Sequence, residues 1–199
     1  QFAMSETSDA AYLRVATTTR PADGAWTNTS NALFVYSTKD GQLVGSVRGL
    51  APGESIFSVR FVGDIRCYLV TFVQTDPLFV VSLDNPYDPK VLGELKIEGF
   101  SSYLHPLNAT HLIGLGRNVS LFNWPDDESD PVAIEQGLQL SLFDVVDATD
   151  PQRDDVLVIG DRGSMSDALY DHKAFQLFEG DIVSIPALVA SLEVAYELF

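Results

Sequence analysis

Three short stretches of similar sequence decide the fold: Leu33-Phe34-Val35-Tyr36-Ser37, Leu78-Phe79-Val80-Val81-Ser82 and Leu140-Ser141-Leu142-Phe143-Asp144. Each is an apolar run followed by a polar turn, which is typical of a β-strand that enters a hairpin. The second stretch begins 45 residues after the first, and the third begins 62 residues after the second. Because a period of about 40–50 residues is typical of stacked repeat units, this spacing predicts a repeated architecture.

The longer third spacing coincides with an acidic segment at Arg117 to Gly137. This segment contains Pro125-Asp126-Asp127-Glu128-Ser129-Asp130-Pro131, the densest cluster of carboxylates in the chain. Removing it restores a period close to the first one. We therefore expect residues 117–137 to project from the third repeat as a loop.

Each period contains further strand-like segments around the quoted stretch. Turns rich in Pro, Gly, Asn and Asp follow at Lys39–Gln42 and Asn85–Pro89, and each leads to another apolar run. Two β-rich segments come before the quoted stretch, clearest at Ser58–Val62 and Cys67–Phe72. Four strands per period make a β-propeller blade. The sequence predicts an all-β protein of four-stranded antiparallel sheets, with at least twelve strands and no helix longer than about three turns.

The repeat divides the chain into about three and a half blades of one partial propeller domain, residues 1–199. The blades are expected at residues 1–50, 55–98 and 100–160, with an incomplete fourth at 165–199. One blade cannot bury both of its faces, and fewer than four complete blades do not normally close a ring. The chain is therefore expected to be part of a larger propeller, or to be completed by other chains.

Composition excludes some classes of partner. The net charge is −16, with 28 acidic and 12 basic residues, which opposes binding to phosphate backbones or anionic lipid. No apolar stretch reaches the length of a membrane span. We expect no nucleic-acid partner and no membrane insertion. The single cysteine, Cys67, lies in an apolar run and is expected to pack as a small buried hydrophobe.

Three Asn-x-Ser/Thr sequons, at Asn28, Asn108 and Asn118, lie in polar segments where a glycan could face water. They favour an extracellular, cell-surface or other location reached by secretion. The segment Gln1–Met4 does not resemble the start of a signal peptide. The chain is therefore expected to begin inside a longer precursor.

Six further strings are distinctive: Arg60-Phe61, Asp76–Val80, Gly93–Ile97, Gly99–Ser101, Tyr103–Pro106 and Ala168–Phe175. They resemble a known family, the secreted β-propeller domains distantly related to WD40 repeats. The turn at Asp84–Val91 also resembles an LVIVD-type repeat of surface propellers. The resemblance covers almost the whole chain. It implies an extracytoplasmic propeller without an established enzymatic activity.

Candidate site residues occupy similar places in successive repeats. Arg60, His105 and His172 each follow apolar or aromatic residues in what is interpreted as the first strand of a blade. First strands line the central channel of a propeller. These side chains, with Asp171, are candidates for a channel site that binds an anion or a divalent metal ion. The alternative is that they form hydrogen bonds within or between blades.

A second candidate for a divalent ion such as Ca²⁺ is the acidic loop at Asp126–Asp130, although it lacks the spacing of a defined calcium loop. A solvated loop is the alternative. The Ser and Asp residues of Asp161–Asp167 lack the Gly-x-Ser-x-Gly elbow of a hydrolase. Trp26 and Trp124 lie in loop-like segments, either as binding aromatics or as cover for blade edges.

The sequence favours a non-catalytic, secreted or cell-surface propeller that displays loops to a protein or glycan partner. The fold alone does not name the ligand, since function lies in sites on a fold. One alternative is a metal-binding or metal-dependent propeller that uses His105, Asp171 and His172. Another is a structural subunit of a larger assembly in which neighbouring chains supply the missing blades.

Overall fold

The computed structural model describes residues 3–22, 29–72, 76–122, 132–179 and 182–191. In these ranges the chain forms fourteen β-strands and two 3-10 helices of three residues each. The strands form three four-stranded antiparallel sheets and one two-stranded hairpin. The predicted all-β fold class of four-stranded blades is confirmed. No helix in the described ranges has the length and apolar character needed to cross a membrane.

Every sheet is a meander in which each strand pairs with the next along the chain. The first sheet contains β1 (Met4–Glu6), β2 (Tyr12–Thr19), β3 (Ser30–Ser37) and β4 (Leu43–Leu50). The second contains β5 (Ser55–Val62), β6 (Arg66–Phe72), β7 (Asp76–Ser82) and β8 (Lys90–Ile97). The third contains β9 (Phe100–Pro106), β10 (His111–Phe122), β11 (Val132–Asp144) and β12 (Gln152–Ile159). The three repeated stretches lie in the third strands, β3, β7 and β11.

The chain after β12 forms two 3-10 helices, Asp167–Leu169 and His172–Ala174, and the hairpin β13 (Gln176–Phe178) and β14 (Ile182–Ser184). Ser166 and Asp171 cap the two helices, because their side chains accept hydrogen bonds from Ala168 N and Lys173 N. Such local bonds compete with strand pairing. In the described part of this segment, the four-strand pattern of the repeat is therefore not continued.

The core lies between the sheets, and β7 shows why its sequence is apolar without interruption. Phe79 and Val81 pack into the core shared with the first sheet, whereas Leu78 and Val80 pack into the core shared with the third. A strand covered on both faces has no solvent-facing positions, so its sequence does not alternate. Cys67 is fully buried in the first of these cores, as the sequence predicts, and burial raises the pKa of its thiol.

The third sheet also packs on its other face, against the segment that follows it. Leu115 and Leu138 meet Leu169 of the first 3-10 helix and Phe175 just after the second. All four side chains are buried. The helices thus cover a face of the third sheet without adding strands to it.

The acidic insertion is shorter than the sequence predicts, so its expected bounds, residues 117–137, are wrong. Residues 117–122 continue β10, and residues 132–137 begin β11, so both belong to the two central strands of the third sheet. Pairing resumes after a register shift at Arg117/Val119 and continues to Phe122, which faces Val132. The physical reason is the β-branched and aromatic residues in both segments, such as Phe122 and Ile134, which favour strands. Residues 123–131, with Trp124 and Asp126–Asp130, lie outside the described residues.

The same turn joins the third and fourth strands in two successive sheets. In the second sheet, Asn85 Oδ1 accepts a hydrogen bond from Tyr87 N at 3.1 Å. In the third sheet, Asp147 Oδ1 accepts from Thr149 N at 2.9 Å. Asn and Asp favour this geometry because their short side chains bond to the backbone two residues ahead. The second and third sheets therefore share the same hydrogen bond in this turn, as well as the same order of strands.

Candidate functional site

Arg60 and His105 hold equivalent positions in neighbouring sheets. Arg60 is the sixth residue of β5, and His105 is the sixth residue of β9. These are the first strands of the second and third sheets, and they lie in contact with each other. Both side chains are partly exposed. This is the equivalence that the repeat predicts for these two residues.

The surroundings of His105 favour its neutral form. Its Nδ1 is hydrogen-bonded to the Tyr103 hydroxyl at 3.0 Å, and its ring centroid lies 4.9 Å from that of Phe175. Burial lowers the pKa of His105, and the positive charge of Arg60 lowers it further. The same positive charge opposes binding of a metal cation at this imidazole. The geometry at this point is therefore better suited to an anionic or neutral ligand group.

His172 and Asp171 are placed differently from the sequence interpretation. His172 begins the second 3-10 helix and does not lie on a first strand, so its predicted equivalence with His105 is wrong. The Asp171 carboxylate caps this helix, accepting from Lys173 N at 3.0 Å. Among the described residues, His105, Asp171 and His172 do not form a group close enough to share a metal ion.

The lowered pKa of His105 predicts a pH dependence of stability. An imidazole with a lowered pKa in the folded state binds protons less readily than in the unfolded chain, where its pKa is about 6.5. The free energy of unfolding is therefore expected to fall as pH drops through about 6.5, with the loss ending below the folded pKa. Urea unfolding of wild type and His105→Gln between about pH 5 and 7.5 measures this, because the variant lacks the contribution.

The control for this measurement is the pKa of His105 itself, which must lie below its ordinary value of about 6.5 if burial causes the slope. An NMR titration of His105 supplies the pKa directly. Equal slopes for wild type and His105→Gln would contradict the burial argument.

Two β-bulges lie in the first strands of the second and third sheets, on the N-terminal side of Arg60 and His105. The register of β5 with β6 shifts between Ile56 and Ser58, which leaves Phe57 as the extra residue. In the third sheet, Tyr103 and Ser101 pair with consecutive residues of β10, which leaves Ser102 as the extra residue. Bulges re-aim side chains and are common next to binding sites.

These bulge residues line an open cavity. Phe57 and Ser102 form one part of its wall, and Leu169 and Tyr170 form another, around a volume of about 330 Å³. Phe57 is 43% exposed and Tyr170 is 65% exposed. The Phe57 ring is held in place by Phe100, with ring centroids 5.0 Å apart. The sequence interpretation missed this cavity, because a bulge depends on strand register and leaves no residue pattern of its own.

The sequons lie in different environments. Asn108 is exposed in the turn between β9 and β10, where its Oδ1 accepts from Thr110 N at 2.8 Å. Asn118 is partly exposed on β10, at the register shift with β11. Asn28 lies outside the described residues, as does Trp26.

A further group of polar side chains was not anticipated from the sequence. His111 on β10, Asp144 on β11 and Asp154 on β12 place one ligand atom each within 4.8 Å of one another. His111 and Asp144 are directly paired across the two strands. The repeat could have placed His111 opposite Asp144, because it pairs the start of each second strand with the end of each third strand. It could not have placed Asp154, which depends on a β-bulge.

Comparison with known proteins agrees with this architecture. A family model for the beta propeller domain matches residues 1–196. An uncharacterized protein of Archaeoglobus fulgidus is 40% identical over 166 residues, which is 83% of this chain and 22% of that protein. An uncharacterized protein of Methanocaldococcus jannaschii is 41% identical over 157 residues, which is 77% of this chain and 22% of that protein.

The chain thus spans less than a quarter of the length of these relatives. No solved structure matches it significantly. The family match covers almost every residue, and the sheets have the four-stranded meander of propeller blades. The chain belongs to the beta propeller domain family.

Proposed function

We propose that this domain is a non-catalytic scaffold that binds a protein or glycan outside the cell, or in a compartment reached by secretion. The observation that supports the proposal best is the cavity lined by Phe57, Ser102, Leu169 and Tyr170. It opens between the first strands of two neighbouring sheets and the segment that follows the third. Sites between rigid elements are typical places for ligand binding.

The residue types of the cavity suit recognition of a sugar ring or an apolar side chain. Exposed aromatic faces supply a large contact area at low cost in side-chain entropy. The Ser102 hydroxyl adds a donor and an acceptor for ligand hydroxyl or amide groups. Phe57 and Ser102 are carried by paired strands, so their positions are fixed before a ligand binds.

An extracytoplasmic location is supported by the exposure of Asn108 within its sequon. An exposed Asn in a turn is accessible to a glycosylating enzyme, and an attached glycan would face water. Expression through a secretory pathway, followed by mass measurement before and after removal of N-glycans, tests whether the sequon is used.

The binding proposal is tested by Tyr170→Ala. The wild-type domain is applied to an array of soluble glycans and to a displayed peptide library, and the dissociation constant of the best ligand is then measured. Tyrosine is among the residue types that contribute most to binding, often about 1.4 kcal/mol or more, so we expect affinity to fall at least about tenfold.

Tyr87→Ala is the matched control, because Tyr87 is a comparably exposed tyrosine, at 63%, on the turn between β7 and β8. This variant is expected to bind as wild type does. Equal binding by Tyr170→Ala and wild type, or no ligand from either collection, would reject the proposed cavity as the binding site.

A further inference from the structure

His111, Asp144 and Asp154 converge at one end of the third sheet. Their ligand atoms lie within 4.8 Å of one another, and His111 Nε2 is 3.4 Å from Asp154 Oδ2. The side chains of His111 and Asp154 are 28% and 44% exposed, so an ion can reach them from solvent. Each residue comes from a different strand, and the pairing of the strands holds the group together.

Hydrogen bonds behind the imidazole determine which nitrogen faces the carboxylates. Asn108 Oδ1 accepts from the backbone N–H groups of Thr110 and His111, both at 2.8 Å, so this atom is the amide oxygen. The Thr110 hydroxyl, also 2.8 Å away, must therefore donate its only proton to it. His111 Nδ1 lies 2.8 Å from the same hydroxyl oxygen and must donate in turn.

With its proton on Nδ1, the neutral imidazole carries a lone pair at Nε2. Nε2 lies 3.4 Å from Asp154 Oδ2, so the nitrogen and the carboxylate can bind the same metal ion. An imidazole that donates from one nitrogen to an oxygen acceptor, and offers the other, is the usual arrangement of a metal-bound histidine.

In the preceding sheet, the position that corresponds to His111 carries a positively charged side chain, Arg66. There Arg66, the first residue of β6, pairs with Ser82, the last residue of β7, just as His111 pairs with Asp144. Arg66 Nη1 donates to Asp84 Oδ2 at 3.0 Å. In the third sheet, the imidazole of His111 therefore replaces the guanidinium of Arg66, and the carboxylate of Asp144 replaces the hydroxyl of Ser82.

Asp154 completes the group from a β-bulge. The pairing of β11 with β12 passes from Asp155 to Arg153, so Asp154 is the extra residue. The same irregularity lies at Leu92 of β8 and Val44 of β4, where the side chain is apolar. Replacement of an aliphatic residue by a carboxylate at this position places a second negative charge beside His111.

We propose that His111, Asp144 and Asp154 bind one divalent transition-metal ion of the Zn²⁺ type, with water in the remaining coordination positions. One imidazole nitrogen and two carboxylates suit such an ion, and the nitrogen selects it over Ca²⁺, which prefers oxygen ligands. The net charge of −16 also favours cation binding. The site is separate from the cavity assigned to ligand binding, and it uses none of its residues.

The test is isothermal titration of the chelator-treated domain with Zn²⁺, with Ca²⁺ titrated in parallel. We expect one Zn²⁺ per chain and no comparable binding of Ca²⁺. Asp154→Asn and His111→Gln, each of which removes a ligand, are expected to weaken binding by at least about 100-fold. Zn²⁺ at 100 times its dissociation constant should also raise the unfolding temperature of wild type but not of these variants.

Two variants serve as matched controls. Asp155→Asn makes the same charge change at the next residue of β12, and His172→Gln removes a histidine from another element. Both are expected to bind one Zn²⁺ with wild-type affinity. The proposal is overturned if wild type binds no Zn²⁺ stoichiometrically, or if Asp155→Asn loses as much affinity as Asp154→Asn. A circular dichroism spectrum without metal shows that each variant is folded.

Discussion

Replacing Phe143 by alanine is expected to lower the free energy of unfolding by about 3–5 kcal/mol, a large share of the stability of a typical domain. Phe143 is 0% exposed and lies on β11, in the core shared by the second and third sheets. It packs in one cluster with Leu78, Val80 and Leu112. Truncation removes buried apolar surface and leaves a cavity that strands anchored on both sides cannot fill.

Urea unfolding followed by circular dichroism measures this loss. Phe178→Ala is the matched control, since it makes the same deletion at a side chain that is 54% exposed. We expect that control to change stability by less than about 1 kcal/mol. If the two variants were equally stable, the second and third sheets would not be packed together through Phe143.

The strands and their grouping could be predicted from the sequence, because both depend on short-range patterns. An apolar run such as Leu78–Val81, bounded by turn residues, specifies a strand locally. The interval between such runs then specifies the number of strands in each sheet. The turns at Asn85 and Asp147 follow from the same chemistry, since each side chain bonds to the backbone two residues ahead.

The candidate sites could not be predicted in the same way, because they depend on strand register. His111, Asp144 and Asp154 are far apart in the sequence and meet only when three strands pair in one particular alignment. Phe57 and Ser102 are exposed by bulges, which shift the register by a single residue. The hydrophobic pattern of these strands does not specify where a one-residue bulge falls.

The misplacement of His172 has a different cause. The string around it contains apolar and aromatic residues that suit a first strand, but Ser166 and Asp171 use their side chains to cap two short helices. Local hydrogen bonds of this kind override a weak strand preference. A pattern of apolar residues is therefore insufficient where capping residues lie within it.

Gly45→Ala and Gly93→Ala are each expected to destabilise the domain by about 1–3 kcal/mol, because each glycine lies under the turn of the following sheet. A Cβ on Gly45 of β4 would overlap the carbonyl oxygen of Pro86, in the turn between β7 and β8. A Cβ on Gly93 of β8 would lie 2.7 Å from the carbonyl oxygen of Thr149, in the turn between β11 and β12. Both neighbours are backbone atoms in hydrogen-bonded turns, so they cannot move aside without disturbing the contact between sheets.

The equivalent position of the third sheet provides the control, because it carries Asp155 on a bulge of the same kind and is exposed. Where no turn covers the strand, alanine is more stable than glycine by about 0.5–1 kcal/mol. Asp155→Ala is therefore expected to be more stable than Asp155→Gly, whereas at Gly45 and Gly93 the order is reversed. Thermal unfolding of five proteins tests this order: wild type, Gly45→Ala, Gly93→Ala, Asp155→Ala and Asp155→Gly. An outcome in which alanine raises the unfolding temperature equally at all three positions would contradict this expectation. In that case, neighbouring sheets would not be held together by contact between the turn of one sheet and the fourth strand of the sheet before it.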